Sequence, residues 1–269
     1  MRILASILLG ICSLGPARAE VACSRLVFAT NPNYPPFSWV EDKTRYQGAS
    51  IALLQKITLP GVTMEPVIYP WNRAQAMARA GQIDLLLSLR ITPEREQYLA
   101  FTRSPAFPNP IVVFAREGGP LRTADWKLLE KYRGGVSLGD SFGGGFDAYL
   151  KEHLHVEVAD TMTENFKKLS LGRVDYFVSG EYLGRAYLRS TRRQGEGRIL
   201  ALSPPVSREF IHFAMSRKSR CLHLLPLIDE KLKELVRQGI PARLLEEALD
   251  SMPEASETEP GKPATRPTR

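Results

Sequence analysis

The sequence predicts an α/β protein of two lobes joined by a two-strand hinge, with a cleft between them. Three observations carry this prediction. Short β-type runs alternate with amphipathic helical stretches for most of the length, which implies parallel sheets with covering helices. Two proline-containing extended stretches, Ser104–Phe114 and Leu202–Phe213, divide the chain. Beyond the second, Cys221, Leu224, Leu225, Ile228, Leu232, Leu235 and Val236 recur at helical spacing. That stripe must bury itself against another element, and a sheet of the first lobe is the natural partner. The first lobe is then discontinuous, and the two proline-containing stretches are a paired hinge.

The elements follow in order. Arg25–Thr30 reads as a strand and Gly48–Ile57 as a helix with Ile51, Leu54 and Ile57 on one face. Val62–Tyr69 is a strand, Trp71–Ala80 a helix and Ile83–Leu87 a buried strand. The second half repeats the rhythm: strand Gly135–Leu138, helix Phe142–His153, strand Val156–Ala159, helix Thr161–Leu171 and strand Val174–Val178. Strand-like Ile111–Phe114 and Phe210–Met215 lie inside the hinge stretches. Lobe one is expected over 20–110 plus 210–250, and lobe two over 111–209. The remainder, 251–269, is rich in Pro, Glu and Thr without an apolar face, and is expected to be disordered.

Met1-Arg2, an apolar run from Ile3 to Leu14, and Gly15-Pro16-Ala17-Arg18-Ala19 make a secretory signal peptide, residues 1–19, cleaved after Ala19. The run is too short to span a bilayer, and no second apolar segment is long enough to insert. The mature chain is therefore expected in the periplasm as a monomer. About 250 residues remain, enough for two lobes of about 120. The formal charge of +7 is spread along the chain. Scattered charge of this kind is a solvated surface, which argues against nucleic acid. Loss of the leader leaves two cysteines, Cys23 and Cys221. In an oxidising compartment an even pair suggests a disulfide; two separate buried thiols are the alternative. No Cys/His spacing resembles a metal ligand set, and no cofactor is expected.

The most informative segment runs Gly81-Gln82-Ile83-Asp84-Leu85-Leu86-Leu87-Ser88-Leu89-Arg90-Ile91-Thr92-Pro93-Glu94-Arg95, then to Ala100-Phe101-Thr102. A buried strand ends at Ser88; Thr92 can cap a short helix with Pro93 at its first position. Arg95 then falls in the first turn, where the helix is already positive. A cation held there suggests an anionic partner, and a guanidinium matches the two oxygens of a carboxylate. A surface pair of Arg95 with Glu94 or Glu96 is the structural alternative.

The run from Gly81 to Thr102 resembles the signature of the amino-acid-type (family 3) extracellular solute-binding proteins, which deliver ligand to ABC importers. Asn31-Pro32-Asn33-Tyr34-Pro35-Pro36-Phe37, Gly134–Gly143 and Gly172-Arg173-Val174-Asp175 agree. The similarity covers about residues 25–240. It implies a fold like the type II periplasmic binding proteins, with ligand held in the cleft by hinge closure. It also implies that Arg95 holds the ligand carboxylate, with Ser88 bonding beside it. Tyr34 would cover the ligand with its ring, with Trp39 or Trp71 as further aromatic walls. Ser141 and Phe142, at the start of a lobe-two helix, would add donors from the helix amino end.

The chain is a divergent member by this resemblance. Gly180 stands where many members carry an acid for the α-ammonium, and Glu181 is the nearest substitute. Gly48-Ala49-Ser50-Ile51-Ala52 replaces the usual Gly-Phe-Asp-x-Asp run, Arg90 replaces a small residue, and Asn31 replaces a frequent Asp. The expected ligand is therefore a small carboxylate-bearing molecule, an amino acid or related organic acid. The expected partner is an ABC permease or a sensor such as a chemoreceptor. Two enzyme readings compete. A lyase on this fold would use Glu181 for proton transfer. A hydrolase would use Gly139-Asp140-Ser141-Phe142-Gly143 as a G-x-S-x-G nucleophile turn, with Asp175 and His212 or His223.

Overall fold

The computed structural model describes residues 23–191 and 198–252. Lobe one begins with β1 (Arg25–Ala29), whose Leu26, Phe28 and Ala29 are buried. β2 (Asn33–Tyr34), β3 (Ser38–Glu41) and β4 (Arg45–Gln47) form a small antiparallel sheet. Then come α1 (Ala49–Gln55), β5 (Thr63–Pro66), α2 (Trp71–Ala80), β6 (Leu85–Leu89), α3 (Pro93–Glu96) and β7 (Leu99–Phe101). β8 (Phe107–Arg116) crosses to lobe two, which holds α4 (Trp126–Leu129), β9 (Arg133–Ser137), α5 (Phe146–His153) and β10 (His155–Ala159). α6 (Met162–Ser170), β11 (Tyr176–Gly180) and α7 (Glu181–Thr191) complete it. β12 (Ile199–Ser216) crosses back, and α8 (Leu225–Arg237) and α9 (Ile240–Ser251) close the chain.

The large sheet runs β10-β9-β11-β8-β12-β6-β1-β5, with β7 also on β12. Pairing is parallel among β1, β5 and β6 and among β9, β10 and β11, as the alternation implies. It turns antiparallel wherever β8 or β12 takes part. Those two strands pair with each other from Ile211–Phe107 to Ile199–Arg116, with a register shift between Leu202 and Ser207. Pro204 and Pro205 lie inside that shift, where a residue without an N–H cannot continue a ladder. The expected lobe boundaries at 110 and 210 fall inside β8 and β12. Leu26, Leu53, Leu85, Phe213 and Leu245 anchor one core of lobe one, and Val113, Phe146 and Tyr176 anchor one core of lobe two.

Cys23 and Cys221 form a disulfide, with Cα atoms 5.1 Å apart. It ties the approach to β1 to the turn after β12 and replaces the alternative of two separate thiols.

Several boundaries differ from expectation for local reasons. The strand expected over Val62–Tyr69 pairs only over Thr63–Pro66. The buried strand continues past Ser88 to Leu89. The late helix opens with a 3₁₀ turn at Leu222–Leu224 and becomes α-helical at Leu225. α9 runs to Ser251, so the first residue of the expected tail is helical. The larger correction is α5, which starts at Phe146 and not at Phe142. Gly143, Gly144 and Gly145 all take positive φ, at 69°, 56° and 81°, a left-handed run that cannot continue an α-helix. The expected leader and the tail from residue 253 lie outside the described residues.

Candidate functional site

The lobe-one wall is built by β6 and the turn after it. Ser88 sits at φ 58°, a left-handed conformation uncommon for a residue with a Cβ. Its hydroxyl bonds to that of buried Ser50. Asp84, four residues earlier, accepts from the Val27 N–H at 2.8 Å and from the Ser219 hydroxyl at 2.6 Å. It clamps β1 and the end of β12 to β6. Thr92 caps α3, its Oγ1 accepting from the Arg95 N–H at 3.3 Å, with Pro93 in the first turn.

Arg95 emerges from that short helix half-buried. Its guanidinium donates to Gln75 Oε1 at 3.3 Å and to the Arg90 carbonyl at 2.9 Å, both neutral acceptors. Burial, reinforced by Arg90, lowers its pKa from the ordinary arginine value. Glu94 pairs instead with Arg79 at 2.8 Å. Among the described residues neither Arg90 nor Arg95 has a carboxylate within ion-pair distance. Two guanidinium groups thus stand close together without an ion pair among the described residues, Asp140 and Glu94 acting on them only from beyond that distance.

Tyr34 faces them. Its ring stacks on Phe37 at 5.0 Å, and burial raises its hydroxyl pKa while Arg90 and Arg95 act in the opposite sense. The hydroxyl lies beside Asn109, a buried residue on β8. Asn31 shapes the preceding turn: its Oδ1 accepts from the Asn33 N–H at 2.9 Å and its carbonyl from Ser38 at 2.8 Å. Trp39 and Trp71 pack, partly buried, against two different lobe-one cores. Tyr34, Arg90 and Arg95 therefore come together; Ser88 is buried with its hydroxyl on Ser50, and the two tryptophans do not join one another.

Across the cleft, Arg90 Nη1 donates to the Ser141 carbonyl at 2.8 Å, a bond between lobes. The expected helix amino end is not there. Instead, Asp147 in the first turn of α5 accepts from the Ser141 hydroxyl at 2.9 Å, the Phe142 N–H at 2.8 Å and the Gly143 N–H at 2.9 Å. The loop donors expected to meet a ligand carboxylate are satisfied by the protein's own. The Phe142 ring is buried in lobe two against Phe146, so it packs and does not line the cleft. Asp140 accepts from the Ser137 N–H at 3.2 Å; burial raises its pKa and Arg90 counters this.

The glycine loop also rests on the hinge. A Cβ at Gly143 would lie 2.1 Å from Glu209 Oε1, and one at Gly144 2.6 Å from the Ser207 hydroxyl. Gly180 faces Asn109, whose Oδ1 would lie 3.3 Å from an added Cβ. Glu181 opens α7 and lies 3.8 Å from Arg185.

The hydrolase constellation is not assembled. Ser141 donates to Asp147. The Asp175 carboxylate accepts from the Arg133 N–H at 3.0 Å. His212 Nδ1 bonds the Thr102 carbonyl at 2.9 Å, and His223 Nδ1 lies 3.2 Å from the Arg220 carbonyl. An open hollow beside Arg95, lined by Asn72, Gln75, Arg79, Glu94 and Tyr98, is walled by lobe one alone. Hinge motion leaves such a hollow unchanged, so the interlobe cleft is the better candidate.

The model of the bacterial extracellular solute-binding proteins, family 3, matches residues 26–251. The chain belongs to this family. Its members are mainly ligand-binding and non-enzymatic, and extracellular. A comparison with curated protein sequences returns no match. Among solved structures the chain is similar to substrate-binding domain 2 of GlnP from Lactococcus lactis in an open conformation. There the identity is 19%, the TM-score 0.66, and coverage 86% of this chain and 98% of that one. A mutant of ArgBP from T. maritima is 23% identical at TM-score 0.59, covering 85% and 96%. An ancestral amino acid-binding protein, described as a precursor of cyclohexadienyl dehydratase, is 20% identical at TM-score 0.61, covering 84% and 95%. Identities this low establish the type II periplasmic-binding-protein fold and nothing finer. Among the described residues no helix is long and apolar enough to cross a membrane, and no group of three or more His, Cys, Asp or Glu could hold a metal ion.

Asn109, Asp147 and Glu209 were not singled out in the sequence. A carboxylate following three glycines was a usable signal for Asp147, since Asp is favoured in the first turn of a helix. Asn109 and Glu209 are set opposite each other only through strand pairing.

Proposed function

We propose that this protein captures a small carboxylate-bearing solute, an amino acid or related organic acid, in the interlobe cleft by hinge closure. It then presents the closed form to an ABC importer in the periplasm. The observation that carries this reading is the pair Arg90 and Arg95: two neighbouring guanidinium groups with only neutral acceptors, beside the Tyr34 ring. Desolvated cations gain most from a charged, bidentate partner. A solute that binds lobe one first and contacts lobe two only when the lobes meet favours the closed state by that difference in affinity. The Arg90 bond to the Ser141 carbonyl is a contact of the kind closure makes. Catalysis is not part of the proposal: Glu181, the proton-transfer candidate, neighbours Arg185 on its own helix. The test is calorimetry with the solute that co-purifies: Arg95→Ala abolishes binding while the protein stays folded, and unchanged affinity refutes the carboxylate assignment.

A further inference from the structure

We infer that two ion pairs between α7 and α9 form a clasp that holds the lobes at their closed angle, so that closure weakens as ionic strength rises. This rests on the hinge closure proposed above and adds to it a device outside the cleft.

The two helices are fixed to different lobes. In lobe two, α7 lies so close to the Phe114 ring that a Cβ at Gly184 would stand 2.2 Å from it. Tyr187 of the same helix stacks on Phe166 at 4.8 Å, the rings 5° from parallel. In lobe one, Leu244, Leu245 and Ala248 of α9 are buried in the core that holds Leu53 and Phe213. Packed interiors resist deformation, so neither helix leaves its own core to follow the other. Rotation about β8 and β12 must move one helix past the other.

The faces that meet are charged. Arg185 donates from both Nη atoms to the two carboxylate oxygens of Glu246, at 2.9 and 2.8 Å. Arg189 donates to the Asp250 carboxylate and to the Asp250 carbonyl, each at 3.2 Å. Both pairs advance by four residues on each helix, which places them on one face. No other ion pair among the described residues joins the lobes. All four side chains are partly exposed. A lone exposed pair contributes little, but a bidentate fork and a row of pairs count for more, and both are open to screening by salt.

The clasp also reaches the cleft wall. Tyr182, on α7, lies beneath the Arg185 guanidinium at 5.8 Å and packs against the lobe-one core. Its ring meets Phe37 edge-on at 6.0 Å, and Phe37 stacks on Tyr34 at 5.0 Å. A row of rings therefore runs from the ion pairs to the aromatic side chain beside Arg90 and Arg95. Opening the lobes breaks that row at Phe37, where it passes from one lobe to the other.

The experiment needs no solute. The full mature protein, freed of co-purifying solute by reversible denaturation, carries spin labels at Lys56→Cys and Lys151→Cys, exposed positions on opposite lobes. Electron paramagnetic resonance then reads the distribution of interlobe distances from about 0.02 to about 0.5 M sodium chloride. The wild type is expected to shift from one distance toward a second as salt rises. At low salt, Glu246→Gln with Asp250→Asn lowers the ratio of closed to open molecules about threefold to thirtyfold and removes most of the response to salt. Arg185→Glu alone opens the lobes in the same way, and adding Glu246→Arg restores the closed distance, an effect that merely disturbing α7 would not produce. Wild-type distances that ignore salt and match those of the neutralised variant overturn the inference. So does a salt response that survives unchanged in that variant, or a reversed pair that fails to restore closure. In each of those cases solute capture through Arg95 still stands. Conversely, unchanged solute binding in Arg95→Ala refutes the proposed anchor and leaves the clasp intact.

Discussion

Replacing Asp147 with alanine takes one acceptor away from three donors at once: the Ser141 hydroxyl and the Phe142 and Gly143 N–H groups, all within 2.9 Å. Two of the three bonds are exposed and one is part-buried, so each is discounted to about 0.5–1 kcal/mol from the larger value of a buried bond to a charge. The sum is about 2 kcal/mol. Conformational freedom that Gly143, Gly144 and Gly145 regain in the folded state when the carboxylate is gone offsets part of this loss. In a protein of this size 1 kcal/mol corresponds to about 2–4 °C in Tm, so a fall of about 4–8 °C is expected if the lobes unfold together. Urea unfolding measures the free energy, and hydrogen exchange at Phe142 and Gly143 reports the loop itself. A change below about 0.5 kcal/mol with unaltered exchange would show that Asp147 does not organise the loop.

Two further outcomes follow from the packing. Replacing Cys23 and Cys221 together with alanine opens a covalent loop spanning 198 residues and should lower stability by about 5 kcal/mol on the chain-entropy account; guanidinium unfolding of oxidised wild type and the double variant checks it, and equal midpoints contradict it. His212 is held below its ordinary pKa by burial, with the Thr102 carbonyl and Asp229 acting the other way. The native state therefore resists a proton that the unfolded chain accepts, and stability is lost as pH falls through about 6.5. Urea midpoints between pH 5 and 7.5 should show His212→Gln with a shallower slope than wild type, the difference reaching at most about 1.4 kcal/mol per pH unit for one proton.

The fold was legible where the signal was local or periodic. Thr92 and Pro93 marked α3 because a cap and a first-turn proline are decided within four residues. The Cys23–Cys221 bridge was readable from an even count in an oxidising compartment. The start of α5 was misread because Phe142 and Phe146 fall at helical spacing. The three glycines between them outweigh that pattern, each costing helix about 1 kcal/mol. The length of β12 was hidden by Pro204 and Pro205, which read as a break; the strand absorbs them as a register shift. Most of the site chemistry was less accessible. Arg95 could be read as a cation at a helix start, but the left-handed Ser88 depends on tertiary contacts. So does the use of Asp84 as a clamp between β1 and the end of β12. Glu209 meets the glycine loop at Gly143 and stands against Asn109 through the β8–β12 register, and no local pattern encodes a pairing made 100 residues apart.

The proposed function stands or falls with Arg95 as the anchor for the carboxylate of a captured solute. Its most direct test is quantitative mass spectrometry of small molecules released when purified wild-type protein and Arg95→Ala are denatured side by side. Close to one equivalent of a carboxylate-bearing solute is expected from the wild type, and none from a variant that remains folded. Equal amounts from both proteins, or release of a solute without a carboxylate, would contradict it.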